Sequence, residues 1–267
     1  MVIVIICVIA LVLFAIAGVA INEYRERKRK RIQGIKLLQA LRMLIKHLQM
    51  HRGLSAAASG GSEEVYDSLL LHAESIRADI AMIATIDALF ADDENWQGIT
   101  QHWARLSARN DRLDVFDNYE QHCRLVSACL MLMRSVEEDY RIVPMLSHHG
   151  KTYWHELLSL GEGLGQVRAL GFVALTVSNN VQLRERCRRK VSEVVASVEV
   201  LYRNYVLQER IGKGKCEAVN NFIALVEHYV VHEKSWITGE QYFSKATETL
   251  EIIYQQFDEE MQALLNV

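Results

Sequence analysis

A single proline, Pro144, stands in 267 residues. Inside a helix, proline removes a hydrogen bond and crowds the preceding turn, so a chain that nearly lacks it can build long uninterrupted helices. No run of alternating Val, Ile or Thr bounded by turn residues makes a strand. Apolar residues recur instead in steps of three and four, the spacing of one helix face. The fold class is all-α.

The breaks divide the chain. A first bundle helix is predicted from about Ile32 to Ser59, stopped by Gly60-Gly61. Ser62 with Glu63 and Glu64 opens a second, running to about Phe90. The acidic turn Asp92-Asp93-Glu94-Asn95 precedes a third from Trp96, and Asn110-Asp111 precedes a fourth reaching towards Ile142. Pro144 and His148-His149-Gly150 form the clearest interruption. The plan then repeats, with helices over about Tyr153–Ser178, Val181–Gln208, a stretch after Gly212 and Gly214 to Lys234, and a last one opened by the Thr238/Gln241 capping box. The expected domains are residues 32–145 and 146–267, two four-helix halves in tandem.

Residues Val2 to Ile21 are apolar or small without interruption. Twenty helical residues at about 1.5 Å each can cross a hydrocarbon core of roughly 30 Å, so residues 1–21 read as a transmembrane helix in contact with a bilayer through 2–21. Residues 22–31 form a basic linker, with six cationic residues in the seven from Arg25 to Arg31. The positive-inside rule then puts the carboxyl side in the cytoplasm, giving a single-pass protein of a bacterial inner membrane. Residues 1–31 carry +4 and the whole chain −3, which leaves −7 on residues 32–267. An acidic body of this kind argues against nucleic-acid binding. Cys7 lies in the apolar segment, and Cys123, Cys129, Cys187 and Cys216 form no C-x-x-C pair, consistent with reduced thiols.

Two apolar stripes contain an arginine where leucine would fit. Leu38, Leu41, Ile45 and Leu48 lead to Arg52, followed by Ser55 and Ser59 on the same face. Leu157, Leu160 and Leu164 lead to Arg168, followed by Gly171, Leu175 and Ser178. A guanidinium stripped of water needs a counter-charge or a route to solvent. The neighbouring stripe positions supply no carboxylate. The planar guanidinium matches a small planar oxyanion through paired N–H donors, and Ser or Gly one turn away leaves space for one. The candidate anion-binding residues are Arg52, Arg168, His51, Ser55 and Gly171. The alternative is that each arginine pairs with an acidic residue of another helix or snorkels to the surface.

Other patterns are weaker. His47/His51 and His228/His232 are spaced i, i+4, but no third ligand follows at a telling distance and no H-E-x-x-H occurs, so no metal ligand is assigned. Gly161-Glu162-Gly163-Leu164-Gly165 follows no strand, which excludes a dinucleotide loop and leaves close helix approach or a bend. No catalytic constellation stands out, and neither an enzyme activity nor a cofactor is expected.

The segment His51-Arg52-Gly53-Leu54-Ser55, then Ser59-Gly60-Gly61, Tyr66, Leu70, Arg77 and Asp79, resembles the nitrate- and nitrite-sensing (NIT) domain family. Tyr153 and Gly163 through Gly171 resemble that family's second half. Trp236 through Phe243, then Thr247, resemble its closing helix. The resemblance spans roughly residues 36–265. It implies a double four-helix-bundle sensor that binds nitrate or nitrite through arginines, which by motif position are Arg52 and Arg168. His51 departs from the acidic residue usual before the first Arg-Gly. No recognisable output module follows, so signalling is expected to pass to a separate, unknown protein, and a homodimer is left open. The rival reading is a membrane-tethered helical interaction module without a small-molecule ligand.

Overall fold

The computed structural model describes residues 2–142, 154–177, 180–203, 209, 211–234 and 236–265, with side chains from residue 11 onward. Every regular element among them is helical. Helix α1, Val2–Ser59, is the organising element. From Leu11 to Lys30 it stands exposed on all sides, and from Ile35 its apolar side chains are buried in the core. The helix ends on Gly61 in the left-handed region (φ 99°), with Ser62 N–H donating to Ala57 and Gly61 N–H to Ala58. These bonds satisfy the last carbonyls in a Schellman motif.

Helix α2 (Tyr66–Ile86) ends where Asp87 turns extended and caps the single turn α3 (Ala88–Ala91). Asp93 caps α4 (Glu94–Ser107), and Asp114 caps α5 (Val115–Asp139). Both aspartates accept from backbone N–H groups that would otherwise be orphaned. After residues 143–153 come α6 (Trp154–Thr176), α7 (Val181–Tyr202) and α8 (Lys213–Val226), then a π-turn over Glu227–Val231 and α9 (Gly239–Leu265). Thr238 and Gln241 exchange backbone-to-side-chain bonds of 3.0 and 3.3 Å, the reciprocal capping box at the start of α9. The expected boundary at 145/146, with Pro144 and His148–Gly150, lies outside the described residues, as do Tyr153, Ser178 and Asn179.

Helix α1 packs against α2, α5, α6 and α9; α6 packs in turn against α7 and α9. Helix α6 is therefore surrounded, and 16 of its 23 residues are buried. Glycine permits the tightest crossings. A Cβ on Gly53 of α1 would lie 3.1 Å from Phe243 of α9 and 3.7 Å from the Ala169 backbone of α6. One on Gly165 would meet Gln49 at 2.9 Å and Arg52 at 3.0 Å.

One expectation is corrected. Among the described residues no helix is long and apolar enough to cross a membrane. Beyond Ile21 the helix turns polar at Asn22 and Glu23 and then carries the basic cluster Arg25–Arg31, which adds no further apolar length. The transmembrane helix over residues 2–21, its bilayer contact and the single-pass inner-membrane placement are therefore not supported.

Candidate functional site

Arg52 and Arg168 both lie in the interior, 0% and 2% exposed, but in different surroundings. Arg52 projects from α1 into a cradle of polar groups. Its Nη1 meets Glu162 Oε1 of α6 at 2.5 Å, and its Nη2 meets Oε2 at 3.3 Å. Gln49 and Gln166 donate to the same carboxylate at 2.7 and 2.9 Å. Tyr254 of α9 donates to Gln49, and Tyr119 of α5 donates to Gln166 at 3.0 Å. The Tyr119 ring lies 5.7 Å below the guanidinium, and Cys123 Sγ accepts from Nη1 at 3.2 Å. Burial alone would lower the Arg52 pKa. The Glu162 carboxylate, with Cys123 and Tyr119, outweighs it and raises the pKa. Burial pushes the Tyr119 and Tyr254 hydroxyls up, so both remain protonated donors.

Arg168 has no such partner. No carboxylate among the described residues pairs with it. Its Nη1 donates to the Thr247 hydroxyl at 3.1 Å, its Cζ lies 4.9 Å from the Phe243 ring centroid, and its Nε has no partner among the described residues. Burial pulls its pKa down to about 10; Tyr254 opposes that pull and the Arg52 charge reinforces it. Arg168 thus lies within electrostatic reach of Arg52, with Tyr254 between the influence of both. A guanidinium at that value is still charged at neutral pH, so a full positive charge stands in the core with one neutral hydrogen bond, one ring and the field of the Glu251 carboxylate to stabilise it.

The other three predicted residues serve different neighbours. His51 Nδ1 lies 2.8 Å from His122 Nε2, and His122 Nδ1 lies 2.8 Å from the Asn118 carbonyl. The carbonyl can only accept, so His122 carries its proton on Nδ1 and His51 donates to the free His122 Nε2. Burial and the neighbouring His122 and His72 hold His51 down to about 2, and burial and the Arg52 and His102 charges hold His122 down to about 3, against a backbone bond that opposes them. The pair is a neutral strut under Trp103. The Ser55 hydroxyl sits between the amide groups of Asn110 and Asn118. Gly171 faces Tyr242, whose ring and hydroxyl occupy the space a Cβ would need and whose O–H donates to the Val167 carbonyl at 2.8 Å.

Sequence reasoning missed Glu162, Gln49, Gln166, Tyr119 and Tyr254. Glu162 carried a signal: the positions three and four residues away are Leu158, Ser159, Gly165 and Gln166, so no cation on its own helix could neutralise it. Phe243 and Thr247, which carried the resemblance to a closing helix, are the residues against Arg168. One solvent-facing cleft of about 420 Å³, walled by Ser159, Gln166, Lys190 and Val198, reaches the Glu162 edge of the network. Among the described residues no group of three or more His, Cys, Asp or Glu side chains is placed to hold a metal ion. His47 instead contacts Asp79 at 2.6 Å.

The fold and the site together define an all-helical bundle with charged groups buried at a helix crossing. Its fold is similar to that of the NasR transcription antiterminator. The match has a TM-score of 0.67 at 14% identity and covers 95% of this chain and 73% of that one. At that identity the likeness is one of fold. No family model and no curated protein matches the sequence.

Proposed function

We propose that this chain is a sensory helical domain that binds a small planar oxyanion, nitrate or nitrite, at Arg168 with Arg52 alongside, and signals by repacking its helices. The observation that carries the reading is the buried Arg168 guanidinium, charged and without a carboxylate partner among the described residues. An anion there supplies the missing counter-charge, through paired N–H donors of which Nε is free. The resemblance of Arg52-Gly53 and of the Arg168 segment to the nitrate- and nitrite-sensing family supports the identity of the anion. The fold likeness to a transcription antiterminator supports a regulatory role.

Arg168 is almost sealed, so an anion enters only when the first turns of α9, with Phe243 and Thr247, separate from α6. Binding is thereby coupled to helix packing, and it shifts that equilibrium by the difference in affinity between the two packings. A partner protein reads the resulting change at the surface. His51, Ser55 and Gly171 act as supports: they fix α1 against α4 and α5, and α6 against α9.

A second reading, a helical interaction module without a ligand, draws support from the Arg52–Glu162 pair, which neutralises one arginine internally. Thermal unfolding titrated with nitrate, nitrite, chloride and sulfate at constant ionic strength separates the two. A ligand of the folded state adds about 2.7 kcal/mol at 100 times its dissociation constant. A rise selective for nitrate or nitrite that disappears in Arg168→Met supports the sensor. The absence of any selective rise into the millimolar range leaves the interaction module.

A further inference from the structure

Three ionised groups share the buried crossing of α1, α6 and α9: the cations Arg52 and Arg168, and the Glu162 carboxylate. That carboxylate is fully engaged. Its Oε1 accepts from Arg52 and Gln166, and its Oε2 from Arg52 and Gln49. It has no lone pair directed to spare for Arg168, whose hydrogen-bond partner is the neutral Thr247 hydroxyl. Glu251, the carboxylate whose charge reaches Arg168, is half exposed and held by Lys46 at 2.5 Å. The buried cluster therefore carries a surplus of one positive charge.

We propose that Glu162, by cancelling one of the two buried guanidinium charges, makes this core accept a monovalent anion and reject a divalent one. The inference rests on the reading of Arg168 as the ligand-binding group. One negative charge at Arg168 brings the cluster to neutrality. Sulfate would overshoot and leave a desolvated negative charge, which a low-dielectric interior penalises strongly. Planarity and hydrogen-bond geometry choose among monovalent anions; the charge count excludes the divalent ones. Glu162 does so without touching the ligand, as a specificity-determining residue held in place by Gln49 and Gln166.

The test is calorimetric titration of the full chain with sodium nitrate and with sodium sulfate at matched ionic strength, in the wild type, Glu162→Gln and Gln49→Glu. Glu162→Gln keeps the shape and leaves two cations uncompensated, so sulfate affinity relative to nitrate rises by about tenfold or more. Gln49→Glu adds a second carboxylate to the same cluster, and nitrate binding is lost although Arg168 is intact. Should Glu162→Gln fail to fold, Gln49→Glu alone decides the matter. An unchanged nitrate-to-sulfate ratio in Glu162→Gln, or wild-type nitrate affinity in Gln49→Glu, overturns the role of Glu162 while the sensor reading stands. Nitrate binding that is absent from the wild type, or indifferent to Arg168→Met, overturns both.

Discussion

Acidification from pH 7 to pH 5 destabilises this protein through His51 and His122. In the unfolded chain each imidazole has a pKa near 6.5. In the folded chain burial holds them down to about 2 and about 3. Below pH 6.5 the unfolded state therefore binds two protons that the folded state refuses. Stability is full above pH 6.5 and falls as pH drops below it, down to the folded values. The slope approaches about 1.4 kcal/mol per pH unit for each histidine, and by pH 5 the pair has removed about 4 kcal/mol. Carboxylates titrate mostly below this window, which leaves the histidines to set the slope. Urea unfolding at fixed ionic strength between pH 7.5 and 5 measures it. The control is His51→Leu/His122→Leu, in which the slope shrinks whatever happens to absolute stability, because both titrating groups of the pair are gone. A flat wild-type profile, or a slope unaltered in the double variant, would refute the neutral-strut assignment.

Arg168→Met replaces an unpaired buried charge with an apolar side chain of similar length, so the ligand-free protein gains about 1–4 kcal/mol in urea unfolding while anion-dependent stabilisation disappears. Glu162→Gln does the reverse: with Arg52 left uncompensated, stability falls by about 3–5 kcal/mol in the absence of anions. Gly171→Ala pushes a methyl into the Tyr242 hydroxyl and loses about 1–3 kcal/mol, read as a lower urea midpoint at unchanged m-value. Thr238→Ala removes one half of the capping box at α9 and lowers stability by about 1 kcal/mol in the same assay.

The helices were legible because their signals are local. Gly61 with its positive φ, the acidic turn with Asp93, and the Thr238/Gln241 box all act within a few residues of where they stand. The arginines were legible for the same reason, since a cation in a stripe of leucines shows within one helix. Their partners were not. Glu162 lies 110 residues from Arg52, and Tyr254 lies 205 from Gln49. No periodicity links such positions; only the crossing of α1, α6 and α9 does. The first-half helix breaks also misled in one detail: Asp87 looked like part of a helix reaching Phe90. Its side chain caps Leu89 N–H and accepts the Tyr140 hydroxyl, and both bonds favour an extended backbone there.

The two arginines look equivalent in sequence, each a cation in a leucine stripe followed by small residues, and tertiary structure makes them different. Arg52 has a carboxylate, itself held by two amides, together with a thiol and a ring to fix its Nη groups, although its Nε has no partner. Arg168 has a hydroxyl and a ring. A core selected for stability alone would have closed on Met or Leu at that position, because an unpaired buried guanidinium opposes the packing around it. That opposition is what makes the residue useful as a sensor. It lowers the energy difference between the closed packing of α6 against α9 and one that admits an anion, so the affinity of a small ion, worth a few kcal/mol at most, is enough to move the balance. An Arg168 already neutralised like Arg52 would leave the same ion nothing to change.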